Sequence, residues 1–155
     1  MNTEFLKRAI DIARDKSADG TNGPFGAVVV SNNEIVGEGW NRVVELSDPT
    51  AHAEIVAIRN ACTKLKTHIL DGCTIYCSCE PCPMCLASIM WSRINNVVFS
   101  CSQEDAAFAG FDDARIKTEI IRDWAQRTIE WEQADHANGF AVLENWVNNP
   151  NKISY

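Results

Sequence analysis

CTIYCSCEPCPMCLASIMWSRINNVVFSC, residues 73–101, is the stretch from which the fold can be read. Cys73 to Cys77 reads as a strand. Pro83 to Trp91 reads as a helix, with proline at its start where a missing N–H costs little, and Asn96 to Cys101 returns to β-branched and aromatic residues. Strand, helix and strand in close succession imply parallel strands joined by a right-handed crossover. Toward the N-terminus, Phe25 to Val30 and Glu34 to Trp40 form two further β-rich runs. Ser31-Asn32-Asn33 lies between them, which predicts a β-hairpin. A helix is expected over residues 3 to about 17, where Phe5, Leu6, Ala9, Ile10, Ile12 and Ala13 recur at helical spacing. The run from Asp19 to Pro24 ends it. Another helix, capped by Thr50 or Asp48 with Pro49 near its start, should carry Ile55, Ile58, Ala61, Cys62 and Leu65 on one face, with His52 and Glu54 in its first turn. The pattern implies an α/β fold, a three-layer α/β/α sandwich around a mixed sheet. Beyond residue 105 the signals weaken: Ala114 to Ala125 reads as helical, and Phe140, Leu143 and Val147 form an apolar stripe over Ala137 to Val147. No repeat or linker divides the chain, so a single domain over 1–155 is expected.

The chain carries 14 Lys and Arg against 21 Asp and Glu, a net charge of −7, the wrong sign for long-range attraction to a phosphate backbone. Nucleic acid is therefore not the expected partner. No stretch approaches the length of a membrane span, and the start of the chain lacks the layout of a signal peptide, so a soluble, cytoplasmic protein is expected. Five of the seven cysteines crowd between residues 73 and 85. Reduced thiols and metal ligands suit that spacing better than disulfide staples.

The residues that point to chemistry are His52-Ala53-Glu54 and Glu80-Pro81-Cys82-Pro83-Met84-Cys85. One imidazole and two thiolates make a three-donor zinc set, one zinc per chain, with a fourth tetrahedral position left for water. A structural zinc site normally closes all four. Both groups fall at expected helix N-termini, where unpaired N–H groups and the helix dipole favour thiolates. Glu54, two residues beyond His52, is expected to face the water rather than the metal and to handle its protons. Cys79 is a competing ligand by residue type.

His-x-Glu followed by Pro-Cys-x-x-Cys is the signature of zinc deaminases acting on nucleobases. End to end, the chain resembles the bacterial guanine deaminases of the cytidine deaminase superfamily. The resemblance rests on Gly23-Pro24-Phe25-Gly26-Ala27, Asn41, the run from Asp48 to Glu54, the run from Ser78 to Cys85, Ala109-Gly110-Phe111-Asp112-Asp113 and Lys152-Ile153-Ser154-Tyr155. It implies a cytidine-deaminase-like sandwich, hydrolysis of guanine to xanthine and ammonia, and a homodimer whose C-terminal segments, about 130–155, are exchanged between subunits. It further implies Asn41 and the Ala53 backbone on the purine edge, Phe25 and Trp91 against its faces, Asp113 at the amino side as a second catalytic group beside Glu54, and Tyr155 closing the pocket from the partner. The residue types suit a flat purine, which needs apolar faces and a few polar contacts at its edge.

Plainer roles exist for several of these residues. Asn41 suits a turn, Asp112 and Asp113 suit a helix cap, Phe25 and Trp91 suit a core, and Tyr155 suits a frayed terminus. Rival functions are deamination of transfer-RNA adenosine, of another small ring such as cytosine or an aminotriazine, and a zinc-binding interaction module without turnover. The last leaves Glu54 without a purpose.

Overall fold

The computed structural model describes residues 3–154. The chain divides into two compact units, Met1–Arg115 and Ile116–Tyr155. The first begins with helix α1 (Thr3–Ser17), the hairpin strands β1 (Gly26–Ser31) and β2 (Glu34–Trp40) and the short α2 (Val43–Leu46). It continues through α3 (Ala53–Leu65), β3 (Thr74–Cys79), α4 (Pro83–Trp91), β4 (Asn96–Cys101) and α5 (Gln103–Phe108). The four strands lie in the order β2-β1-β3-β4. β1 runs antiparallel to both β2 and β3, while β3 and β4 are parallel across α4. This is the mixed sheet that the strand–helix–strand pattern predicts. Asn32 and Asn33, both at positive φ, close the hairpin with the two-residue geometry that matches strand twist.

Alternation along the strands makes the layers. Val28, Val30 and Tyr76 face Ile12, Phe5 and Leu6 of α1, while Ala27, Val29, Ile75 and Cys77 face Ala57, Ile58 and Ala61 of α3 and Ile89 of α4. β1 is covered on both faces and therefore reads as a nearly unbroken apolar run. β2 meets α3 backbone to backbone: a Cβ on Gly37 would fall 2.3 Å from the Ala57 oxygen, and one on Gly39 would fall 2.1 Å from the Ala53 oxygen. That contact sets where α3 begins.

The start of α3 and the end of β3 differ from expectation. Asp48 does not cap α3, because its carboxylate is used one turn earlier, accepting from the Thr50 N–H at 2.8 Å and hydroxyl at 2.7 Å. The helix starts at Ala53, and its N-cap is His52 in an extended conformation. β3 runs on to Cys79, which pairs in register with Cys101.

The second unit comprises most of α6 (Ala114–Ile121), a 3₁₀ turn at Trp124–Gln126 and α7 (His136–Asn148). α6 ends before the expected Ala125. Glu119 there holds Arg122 at 2.5 Å and accepts the Thr128 N–H at 2.8 Å, so its carboxylate fixes the departing chain. None of the described residues 116–154 is buried. Among the described residues, no helix is long and apolar enough to cross a membrane.

Candidate metal centre and adjoining cleft

Two helix starts converge on one point. His52 is the N-cap of α3 and Cys82 the N-cap of α4, with Pro83 opening that helix and Cys85 in its first turn. The His52 side chain makes no capping bond to its own helix. The two N-cap side chains turn toward each other: His52 Nδ1 lies 3.6 Å from Cys82 Sγ and 3.6 Å from Cys85 Sγ. Tetrahedral zinc with ordinary Zn–N and Zn–S bonds requires an N···S edge of about 3.6 Å. The donors thus already stand at the separation the ion demands, and all three atoms lie within 4.8 Å of one another.

Charge suits a cation as well. The Cys82 thiol is pulled down to about 4, first by a hydrogen bond from Cys85 and then by the His52 imidazole. His52 is raised in turn, chiefly by its hydrogen bond to Cys82. Cys85 is pushed up because it is the proton-bearing partner of Cys82. Cys79 is occupied elsewhere: its Sγ donates to the Ser102 carbonyl at 3.2 Å, and burial raises its thiol to about 11.

Glu54 is 7% exposed and stands outside the three-donor cluster. Burial raises its pKa, while a contact with Cys85 partly offsets the rise. A carboxyl that holds its proton more tightly than an exposed one is suited to exchanging it with a reacting group. Because His52 is not helical, the direction of Glu54 does not follow from helical spacing. It follows from α3 beginning between the two residues.

Beside the metal donors opens a cleft of about 690 Å³, bordered by Gly23, Pro24, Asn41, Pro49, His52 and Phe111. Asn41 is 7% exposed, and its Oδ1 accepts the Val43 N–H at 3.3 Å, which leaves the Nδ2 hydrogens for the cleft. Gly23 leaves room for this amide, since a Cβ there would stand 3.2 Å from the Asn41 carboxamide carbon, a few tenths too close. Phe25 packs edge to face on Phe111 at 4.8 Å, and its carbonyl accepts the Asn41 N–H at 3.1 Å.

His52, Ala53, Glu54, Cys82, Cys85, Asn41 and Phe25 thus share one region. Asp113 lies two residues past Phe111, partly buried. Trp91 is not among the residues that border this cleft: it ends α4, about 12 Å along the axis from Pro83, and is 65% exposed. Tyr155 lies outside the described residues. Phe111, within the stretch Ala109 to Asp113, is a cleft residue that the sequence does not single out. Its only signal in the sequence is an isolated aromatic between Gly110 and two aspartates, without helical or strand periodicity.

Residues 1–101 match the model of the cytidine and deoxycytidylate deaminase zinc-binding region. The chain belongs to this family. The metal for which the deaminase offers its His52, Cys82 and Cys85 donors is accordingly zinc. It is 46% identical to guanine deaminase of Bacillus subtilis, an alignment covering 100% of both chains. The X-ray structure of that enzyme superposes with a TM-score of 0.95, covering 100% of this chain and 99% of the other. A transfer-RNA-specific adenosine deaminase of Aquifex aeolicus is also 46% identical, but over 62% of this chain and 63% of its own. Guanine deaminase from Nitrosomonas europaea is 31% identical with a TM-score of 0.67, covering 74% of this chain and 66% of that one.

Proposed function

We propose that this deaminase hydrolyses guanine to xanthine and ammonia. The observation that carries the reading is the reach of the likeness to the Bacillus subtilis guanine deaminase, which includes the C-terminal third. The transfer-RNA deaminase matches only 62% of the chain. A net charge of −7 also disfavours a polyanionic substrate.

In this reading His52, Cys82 and Cys85 hold one zinc per chain. When bound, zinc supplies a Lewis acid that brings the pKa of a water down to about 7. Asn41 Nδ2 and the Ala53 backbone take the purine edge, Phe25 takes a face, and Asp113 takes the amino side. Glu54 accepts a proton from the attacking water and returns it to a ring nitrogen. A C–O bond forms at the carbon bearing the amino group. Glu54 then carries the second proton, from the newly attached hydroxyl, to the amino nitrogen as the C–N bond breaks and the hydroxyl becomes a carbonyl, leaving xanthine and ammonia. The expected place of Trp91 against the purine rests on the resemblance alone.

The working unit of this reading is a cytoplasmic homodimer acting on a small purine base, with the chain as one functional domain whose C-terminal segment is exchanged between copies. Its support is the apolar surface that residues 116–154 leave exposed, including Trp124, Trp131, Phe140, Leu143 and Trp146. Tyr155 would close the pocket from the partner copy.

The test is ammonia release by the zinc-loaded protein from guanine, guanosine, adenine, adenosine, cytosine, cytidine and an aminotriazine, with Glu54→Gln as control. Guanine-selective release that disappears in Glu54→Gln, with zinc content unchanged, is expected. Selective release from another ring overturns the substrate assignment, and turnover by Glu54→Gln overturns the mechanism.

A further inference from the structure

Between the end of β3 at Cys79 and the N-cap Cys82, the chain passes through Glu80 and Pro81 in no regular element. This link carries a metal donor at its end, so something must fix it. Four hydrogen bonds do, and all of them have their other partner in residues 101–103. Glu80 N–H donates to the Cys101 carbonyl at 2.8 Å, and Cys79 Sγ donates to the Ser102 carbonyl at 3.2 Å. The Gln103 N–H donates to Glu80 Oε2 at 3.2 Å, and Gln103 Nε2 donates to the Pro81 carbonyl at 2.8 Å. Gln103 therefore clamps the link twice, its backbone gripping a side chain and its side chain gripping the backbone one residue before Cys82.

We propose that Gln103 is a positioning residue for the metal turn, and that through α5 it ties that turn to the wall of the substrate cleft. The clamp needs a donor at the end of the side chain, because a carbonyl oxygen can only accept. The other end of the amide is not used: Gln103 Oε1 is buried and finds no partner among the described residues. The residue before Gln103 is anchored too. Ser102 and Asp105 form a reciprocal capping box at 2.8 Å and 3.3 Å, so the start of α5 does not slide. α5 is six residues long, and three residues after its end Phe111 packs on Phe25 at 4.8 Å. The short helix thus begins on the ligand turn and ends at the aromatic pair beside the cleft. Hydrogen bonds that orient a ligand in this indirect way affect metal affinity or activity by roughly 10- to 100-fold.

The kinetic arm of the test rests on the guanine reading, whereas the spectroscopic arm does not. Gln103→Met keeps the length and removes the donor. In the cobalt-substituted full-length protein, the expected result is a shift of the visible absorption bands with metal content still at one per chain. In the zinc form, kcat should fall about tenfold and KM for guanine should rise. Phe111→Ala, which touches only the cleft end, should raise KM and leave the cobalt bands in place. Should Gln103→Met fail to fold, Gln103→Glu separates the possibilities. As a carboxylate of ordinary pKa, about 4.3, it cannot donate to the Pro81 carbonyl at neutral pH, so a shift of the cobalt bands and a loss of kcat are expected there too. Unchanged cobalt bands with unchanged kcat in either variant overturn the assignment. A band shift in a protein that does not turn over guanine upholds the clamp and overturns only the substrate.

Discussion

Gly39 of β2 and Ala53 at the start of α3 meet backbone to backbone, so that a Cβ on Gly39 would stand 2.1 Å from the Ala53 carbonyl oxygen. The atom that would be pushed lies between the metal donor His52 and the proton carrier Glu54. Gly39→Ala must therefore move the start of α3. Overpacking of this kind costs about 1–3 kcal/mol. The expected outcome is a lower Tm together with faster zinc loss to a chelator. A variant with lowered stability but wild-type zinc retention would separate this contact from the metal site.

Removing the metal should expose one unusually reactive thiol. Cys82 is held at about 4, first by the Cys85 hydrogen bond. A thiol loses its proton above its pKa, so Cys82 is a thiolate throughout the neutral range, where an ordinary cysteine near 8.5 is mostly protonated. Burial raises Cys62, Cys77 and Cys79, which shifts them the opposite way. Iodoacetamide at about pH 6, followed by peptide mass mapping, should label Cys82 before those three after chelation and spare it when zinc is bound. Equal labelling with and without zinc would remove Cys82 from the donor set.

Asn41 and Gly23 offer a test of the cleft that leaves the metal alone. A Cβ at Gly23 would approach the Asn41 carboxamide at 3.2–3.3 Å, a few tenths too close. Gly23→Ala should therefore tilt the amide and raise KM for guanine, with kcat nearly unchanged. Asn41→Ala should raise KM further, by roughly fivefold or more, since one hydrogen bond is worth about 1 kcal/mol. A loss confined to kcat in both variants would place Asn41 in the chemistry rather than in binding.

The legible parts of the molecule are those set by local chemistry. Proline at 83 and the β-branched run after Asn96 mark α4 and β4 at the residues where they occur, and the two metal motifs fall at helix starts as their spacing implies. What local reading misplaced was decided across long sequence distances. Thr50 or Asp48 looks like the cap of α3, but the ring of His52 is claimed by cysteines 30 and 33 residues away, which makes His52 itself the turning point. Phe111 faces Phe25 across 86 positions, and Gln103 reaches back to Pro81, neither with any periodic signal. Trp91 is an aromatic on an apolar helix, and nothing in its neighbours says that it ends up 65% exposed.

Acid should weaken the fold partly through Glu38. Its carboxylate receives Arg8 Nε and a terminal nitrogen, both at 2.8 Å, and that hydrogen bonding lowers its pKa below the ordinary 4.5. A lowered acid contributes stability that is full above the ordinary value and disappears as pH falls through the lowered one. The pair ties α1 to β2, but both side chains are substantially exposed, so the contribution stays under about 1 kcal/mol. Urea unfolding of Glu38→Gln should show a deficit of that size at neutral pH that shrinks below about pH 4. A deficit that persists in acid would assign the effect to packing instead.

The exposed C-terminal segment leads to the last expectation. On α7, Phe140, Leu143 and Val147 recur on one helical face and are all exposed, while Trp131 and Trp146 add aromatic surface. A soluble monomer rarely leaves so much apolar surface to water, and a second copy of the chain is the occupant the proposed dimer supplies. Sedimentation at micromolar concentration should give twice the 17.2 kDa chain mass. Leu143→Asp should shift the chain toward monomer and lower turnover of guanine by tenfold or more, because the proposed pocket is closed by the partner's C-terminus. His52, Cys82 and Cys85 lie in the other unit, so zinc content should hold at one per chain. A Leu143→Asp monomer with full activity would show that the site is complete without a second copy.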